Sequence, residues 1–501
     1  MNIDYIIIQA GGKGTRLEHM TKNKPKALVS IQNLPMIFHA FKQFPDKHFV
    51  IIGDYKFDVL EKYLKAFATV DYKLVNANGK SGTCAGIADA LKLVPDNKAF
   101  LLMWSDLVLS KQFNLDNLED FNYVGLSTDF VCRWSFQKGK FLETPSDKFG
   151  VAGLFVFRNK ELISDVMEEG EFVRWLSSKN IDLKTLSLKG CNEYGLLKVV
   201  NGLEKMKCRP FNRLIIEEDT ITKEGIDSQG LELAKRERAW YKQVMDKNFP
   251  SLPYIYSLEP LKMQKVHGDN IYVYDKLSYE EKTKILIQIV NCLKDLHKLG
   301  KIPADKESYD DAYIDKTLKR LEKVKELVPF AKDEYVVING IKCKNFFYVI
   351  DEVKQKISSY YPKEFAFIHG DTTFSNILLD NDGTPVLIDP RGYFGKIDFY
   401  GDVAYDWAKL YYSLVGNYDQ FNLKNFKLVI NDDNVELKIK SSNWEDMADL
   451  YFELIKEDVK VEQLNLIHAI LWLSLTTYAW DDYDSICGAF YNGLLWLNKC
   501  I

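Results

Sequence analysis

Gly11, Gly12 and Gly14 fall within four positions at the end of an apolar run, in "YIIIQAGGKGTRL". A strand that ends in glycines and turns into a helix presents unpaired backbone N–H groups. Those groups favour an anion, and glycine lets a phosphate come close. Arg16 follows directly, and Lys26 stands a little further on in "KPKAL". Both are cations that could serve a triphosphate. The dinucleotide fingerprint G-x-G-x-x-G would need glycine where Leu17 stands, and no G-x-x-x-x-G-K-[ST] run occurs. Towards the other end, "HGDTTFSNILLDNDGTPVLIDPRG" sets His369, Asp371, Asn376 and Asp389 in order. There "NILL" and "PVLI" flank 380–384 as the arms of a β-hairpin would. The chain therefore reads as carrying two separate active sites.

The elements around these clusters differ in style. Early in the chain, short apolar runs at 5–10, 49–52, 72–75 and 99–103 read as strands, with later ones at 150–157 and 181–188. Helical patterns at 36–44, 56–66 and 85–94 lie between them. Such alternation predicts a parallel α/β sheet. After residue 201, two short strands are expected around a turn at Glu218–Asp219, then a charged amphipathic helix at 229–245. Long helices follow at 279–299 and 313–327. A chain of 501 residues is about twice what one core supports, and a boundary is expected between 1–202 and 203–501.

Composition narrows the function. A net charge of −5 argues against nonspecific nucleic-acid binding. No apolar run is long enough for a membrane span, and the start, with Asp4, does not read as a signal peptide. The eight cysteines, Cys208 among them, contain no C-x-x-C pair, which reads as reduced thiols of a cytoplasmic protein.

"GGKGTRL" followed by "KPKAL" resembles the nucleotidyltransferases that make nucleotide sugars and CDP-alcohols. The resemblance implies a Rossmann-like α/β domain with a mixed, mostly parallel sheet. It implies that the loop and Arg16 hold the triphosphate and that Lys26 contacts phosphate at the reacting centre. "GTCAG" at 82–86 stands where that family binds the base, so Gly82 and Thr83 are expected there. "LLMWSDLVL" matches a strand ending in a metal-binding aspartate, here Asp106. Trp104 and Ser105 depart from the small or polar pair that many of the sugar enzymes have at those positions. "CNEYGLLKVVN" resembles the late metal-binding element, with Glu193 where many relatives have aspartate.

The pattern H-G-D-x-x-x-x-N, then I-D after a hairpin, resembles aminoglycoside phosphotransferases and choline kinases, distant relatives of protein kinases. It implies a bilobal α+β domain, with a small lobe at about 203–275 and a large lobe at about 276–501. By that resemblance Asp371 orients and deprotonates the acceptor hydroxyl, and Asn376 and Asp389 hold Mg2+ on the phosphates of ATP. Lys223 would bind those phosphates and Glu237 would hold the lysine. Asp402 and Asp406 would brace the catalytic loop. A second "HGD", at His267, lacks the asparagine and the hairpin and reads as a linker between lobes. The tryptophans read mainly as core. "TTYAWDDYD" at 476–484 mixes aromatics with acids where relatives complete the acceptor pocket.

Together the resemblances imply a bifunctional transferase. One domain would phosphorylate a sugar hydroxyl with ATP. The other would join the sugar phosphate to a second NTP and release pyrophosphate, for cell-surface polysaccharide synthesis. A choline or other amino-alcohol kinase joined to a CTP:phosphocholine-type cytidylyltransferase is the alternative, and a non-catalytic regulatory domain is another. The expected partners are small-molecule substrates, with neither nucleic acid nor membrane. A homo-oligomer is compatible with the sequence.

Overall fold

The structure, a computed structural model, describes residues 1–116, 118–179, 181–203 and 212–501. Cys208 lies outside them, and the seven described cysteines are free thiols. The chain divides into two compact units, Met1–Lys205 with Asp481–Tyr483, and Met206–Trp480 with Asp484–Ile501. The expected boundary after 202 borders residues 204–211, which lie outside the described residues.

The first unit is built on β1 (Ile3–Gln9), β2 (His48–Gly53), β3 (Tyr72–Asn76), β4 (Ala99–Trp104) and β5 (Tyr123–Ser127). It continues with β6 (Ser135–Gln137), β7 (Lys140–Leu142), β8 (Gly150–Phe157) and β9 (Lys184–Ser187). Among the described residues these form one sheet in the order β7-β6-β8-β4-β1-β2-β3, with β5 on β8 and β9 on β5. β1 runs parallel to β2 and β4, β2 to β3, and β9 to β5, whereas β8 is antiparallel to β4 and β5. The sheet is therefore mixed and mostly parallel where the glycine loop leaves it. β8, "GVAGLFVF", is buried at every position, which is why it reads as a continuous apolar run rather than an alternating one. Helix α1 (Phe57–Phe67) buries Val59, Leu60, Tyr63 and Leu64, a single apolar stripe.

The helix expected over 85–94 is shorter, Ile87–Leu91. Thr83 and Cys84 are tied to the chain at 170–172, so the residues before 87 form a loop. Pro95 disfavours helical backbone at the residue before it.

The second unit opens with β10 (Asn212–Ile216), β11 (Thr220–Gly225), helix α2 (Ser228–Met245), β12 (Ile255–Leu258) and β13 (Leu261–Gln264). Its sheet runs β10-β11-β13-β12, and α2 packs on β11. The second "HGD" enters β14 (Gly268–Asn270), which pairs with β15 (Ile377–Asp380), itself in a hairpin with β16 (Pro385–Leu387). Helix α3 (Tyr279–His297) starts at a capping box: Ser278 Oγ accepts from the Glu281 amide at 3.3 Å, and the Glu281 carboxylate accepts from the Ser278 amide at 2.7 Å. The pattern at 313–327 resolves into a wide turn, Asp311–Asp315, and helix α4 (Lys316–Val324). α4 and α5 (Val403–Leu414) both pack on α6 (Val461–Leu475), which is buried along most of its length. Trp240, Trp407, Trp444 and Trp472 are fully buried, as tryptophans in the core should be.

Candidate active sites

The glycine loop leaves the carboxyl end of β1, between its two parallel neighbours, where open α/β sheets form their ligand crevices. Gly14 takes the left-handed backbone, φ 65°, and a Cβ there would meet the Lys26 and Thr21 side chains at 3.0 Å. That fit seats Lys26 against the loop. The amides of Gly12, Lys13 and Gly14 donate to no group among the described residues, so they stand free for an anion. The Gly11 carbonyl accepts from the Tyr55 amide at 3.4 Å.

Four charged side chains meet beyond the loop. The Lys26 ammonium contacts the Asp106 carboxylate. Arg16 Nη2 lies 3.7 Å from Glu193 Oε1, with the arginine side chain 61% exposed. Asp106 and Glu193 are held together by backbone: Glu193 pairs with Leu107, and the Tyr194 amide donates to the Asp106 carbonyl at 2.9 Å. Burial and the neighbouring Asp106 push the Glu193 carboxyl up, against Lys26 and Arg16. Two adjoining carboxylates whose charges repel form a donor set that fits a hard divalent cation, which takes few protein ligands and completes its shell with phosphate oxygens and water.

Two residues outside the sequence expectations complete the geometry. A Cβ at Gly195 would fall 2.6 Å from Glu193 Oε1, 3.0 Å from Asp106 Oδ2 and 3.1 Å from Arg16 Nη2. Only a residue without a side chain fits among the three. Gln9, the last residue of β1, donates to the carbonyls of Thr83 at 3.0 Å and Ala85 at 2.9 Å, and its Oε1 accepts from the Gly11 amide at 3.4 Å. It ties the phosphate loop to the 82–86 loop, and a polar residue closing an apolar run was its only sign in the sequence. Thr83 Oγ1 accepts from the Phe172 amide at 2.8 Å, and the Gly82 carbonyl from the Ala85 amide at 3.4 Å. These contacts shape the loop from within.

In the second unit, Lys223 on β11 lies 2.8 Å from Glu237 on α2 and 2.8 Å from Asp389 beyond β16. Both carboxylates outweigh burial and hold the Lys223 ammonium charged. Lys223 and its neighbours likewise keep Asp389 below the usual carboxylate range despite burial. Asn376 Nδ2 donates to the Asp371 carboxylate at 3.0 Å and to its backbone carbonyl at 2.9 Å. Asp406 accepts from the His369 amide at 2.9 Å and the Gly370 amide at 2.7 Å, and lies 3.1 Å from His297 Nε2. His369 is buried, with Nε2 3.0 Å from the Ile388 carbonyl, which binds the loop to the hairpin. Asp402 accepts from the Tyr313 hydroxyl at 3.0 Å and caps α5. Lys409, outside the sequence expectations, lies 3.0 Å from Asp371 Oδ1. Asp371 and Asn376 thus form one group, and Lys223, Glu237 and Asp389 another. The Asn376 carbonyl accepts from the Ile388 amide at 3.0 Å, next to Asp389, which links the two. Asn376 and Asp389 supply the oxygen donors that would hold Mg2+.

Comparison with known proteins agrees with this division. Residues 5–121 match the nucleotidyl transferase family model, and residues 228–424 match the phosphotransferase enzyme family. The chain therefore carries an N-terminal nucleotidyl transferase domain and a C-terminal phosphotransferase domain, both of transferase families. The first part is 30% identical over 110 residues to the UTP–glucose-1-phosphate uridylyltransferase AglF of Haloferax volcanii, covering 21% of this chain and 44% of that protein. It is 33% identical over 112 residues to the D-glycero-alpha-D-manno-heptose 1-phosphate guanylyltransferase of Campylobacter jejuni, covering 21% of this chain and 50% of that one. The chain spans about half the length of these curated relatives. Among solved structures, HddC from Yersinia pseudotuberculosis is similar at 17% identity and a TM-score of 0.34, over 39% of this chain and 96% of that one.

Proposed function

We propose that the chain performs two consecutive transfers, phosphorylating a sugar hydroxyl with ATP and then coupling the sugar phosphate to a nucleotide. The observation that carries this reading is the pair of constellations in one chain. Arg16, Lys26, Asp106 and Glu193 gather at a glycine loop, and Lys223, Asp371, Asn376 and Asp389 gather at a hairpin. Both relatives described above are sugar-1-phosphate nucleotidyltransferases by name, which supports a sugar phosphate as the first unit's substrate.

In the second unit, the acceptor hydroxyl oxygen bonds to the γ-phosphorus of ATP. The bond from that phosphorus to the bridging oxygen breaks, and ADP leaves. Asp371 accepts the hydroxyl proton, with Asn376 fixing the carboxylate's direction. Lys223, steadied by Glu237, binds the ATP phosphates. In the first unit, an oxygen of the sugar phosphate bonds to the α-phosphorus of an NTP, and pyrophosphate leaves. The nucleophile is already ionised, so no base is required. Arg16 and Lys26 hold the phosphates, and the free amides of the glycine loop receive their oxygens. Asp106 with Glu193, and Asn376 with Asp389, would hold Mg2+, whose chemistry there would be to neutralise charge on the transferring phosphates.

No helix among the described residues is long and apolar enough to cross a membrane. In this reading both reactions draw on cytoplasmic nucleotides and feed the assembly of a surface polysaccharide. The test is a panel of sugars and amino alcohols with ATP and each NTP, read by ADP and pyrophosphate release. Release of ADP with a sugar, followed by pyrophosphate with one NTP, is expected. Pyrophosphate release that needs no prior phosphorylation of the sugar would overturn the sequence of steps.

A further inference from the structure

Beside Asp371, the second unit collects cations that the reaction above does not use. Lys409 lies 3.0 Å from Asp371 Oδ1. Arg391 donates to the hydroxyls of Tyr405 at 2.6 Å and Tyr393 at 3.0 Å, and its guanidinium lies 4.3 Å from the Tyr393 ring centre. Lys316 Nζ stands 5.8 Å from the ring centre of the same Tyr405. Arg320, one turn along α4 from Lys316, donates to the Ser474 carbonyl at 2.5 Å and to its hydroxyl at 3.0 Å.

Asp371 faces Lys409 and Arg391, and Asp311 faces Lys316. Among the described residues, Lys316 forms no hydrogen bond or ion pair, and neither Arg320 nor Arg391 forms an ion pair. Burial and the charges of Arg391, Arg320 and Lys409 push the Lys316 ammonium well below its usual value. The Tyr393 phenol is held below its usual value despite burial, by Arg391, Arg236 and Arg320. Like charges crowded in a half-buried site oppose folding unless something of opposite sign completes them.

We infer that Lys316, Arg320 and Arg391 bind an anionic group of the phosphoryl acceptor, which is therefore a polyhydroxy compound already bearing a phosphate or a carboxylate. This rests on the phosphotransferase reading above. A planar guanidinium between two phenols suits an oxyanion, and Lys316 adds a point charge. Asp371 lies at the edge of the cluster, so an acceptor anchored there brings a hydroxyl to it. A quaternary ammonium alcohol would meet repulsion at the same place, although tyrosines surround it.

The test uses the full chain with a non-hydrolysable ATP analogue and Mg2+ at saturation, so that phosphate cannot enter the ATP site. Inorganic phosphate is titrated calorimetrically into the natural protein and Lys316→Met. A lost charge-assisted contact should weaken phosphate roughly ten- to a hundredfold. Lys316 has no hydrogen bond or ion pair to lose among the described residues, so the melting temperature of the variant should not fall. ADP release is then compared for glucose, glucose 6-phosphate, gluconate and choline. One of the two anions should exceed glucose and choline, and Lys316→Met should raise its KM with little change in kcat. Glucose 6-phosphate against gluconate tells phosphate from carboxylate. Preference for choline or glucose, unchanged phosphate binding in the variant, or a clear fall in its melting temperature would overturn the inference. Phosphate binding that depends on Lys316, with no ADP released by any acceptor, would sustain the anion site and overturn the phosphotransferase reading instead.

Discussion

Lys223 Nζ lies 2.8 Å from Asp389 Oδ1, joining a strand of the small sheet to the end of the β15–β16 hairpin. Glu237 holds the same ammonium from the other side, also at 2.8 Å. The lysine is thus fixed between two carboxylates. Removing one preorganised donor aimed at charge that develops in the transition state costs about 10²–10³ in rate. Lys223→Met should lower ATP-dependent phosphorylation by that factor and leave pyrophosphate release unchanged when phosphorylated acceptor is supplied. A coupled ADP assay beside a pyrophosphate assay reads both. Unchanged ADP release would remove Lys223 from the phosphate site.

Asp371 accepts a hydrogen bond from Asn376 and an ion pair from Lys409, so its basic oxygens are both oriented. Asp371→Asn keeps the shape and removes the proposed proton acceptor. Phosphorylation should fall by roughly 10²–10⁴. Pyrophosphate release should persist, because Asp371 belongs to the other unit. If both activities vanish in a folded variant, the two sites do not act separately.

Asp106 gives the converse case. Its carboxylate meets Lys26 and lies near Glu193 across Gly195. An amide is a much poorer ligand for a hard cation. Asp106→Asn should abolish pyrophosphate release, with no full recovery at saturating Mg2+, while ADP release continues. Transfer at the natural rate would mean that Asp106 only anchors Lys26.

The sequence revealed these groups unevenly. The order Asp371, Asn376, Asp389 is local: a short loop sets the first spacing and a hairpin of fixed length the second, so the pattern itself carries the geometry. Lys223 and Glu237 were separable from nearby charges only through their order on a strand and the helix that follows it. Lys409 was hidden, because a lysine in "YDWAKLYY" reads as an ordinary helix residue until its neighbour Asp371 is known. Gly195 was hidden for the same reason, since three separate segments meet at it. The α/β alternation gave the first sheet's class, because buried parallel strands are written as apolar runs. It gave the helix near 87 too long, because periodicity does not register the bonds from Thr83 and Cys84 to the chain at 170–172.

The glycine loop can be tested without disturbing the fold. A Cβ at Gly12 would meet nothing within 4 Å, so Gly12→Ala costs the protein little. It would obstruct a phosphate resting on the loop's free amides. Arg16, largely exposed, makes one long ion pair with Glu193, so Arg16→Ala is also tolerated. Each variant should weaken nucleoside triphosphate binding, Arg16→Ala by roughly ten- to a hundredfold. A nucleoside without phosphate should bind as before. Titration of the full chain with both ligands decides the matter, and an equal loss for both would show that the loop supports the base rather than the phosphates.

His468 offers a prediction of stability against pH in the second unit. Its ring is fully buried against Tyr411 and Trp496, and Trp472 Nε1 donates to its Nε2 at 3.1 Å. Burial pushes the imidazole down to about 3, whereas an exposed histidine titrates near 6.5. Between those values the unfolded chain takes up a proton that the folded chain does not. Stability is therefore complete above the unfolded value and is lost as the pH falls, by at most about 1.4 kcal/mol per pH unit. Asp402 and Asp419, each raised to about 6 by burial, act in the opposite sense, so the comparison must be with a variant. His468→Gln keeps an acceptor for Trp472 and removes the titration. Its melting temperature should fall less between about pH 6.5 and 5 than that of the natural protein. Equal slopes would mean that the folded protein protonates His468 as readily as the unfolded chain does.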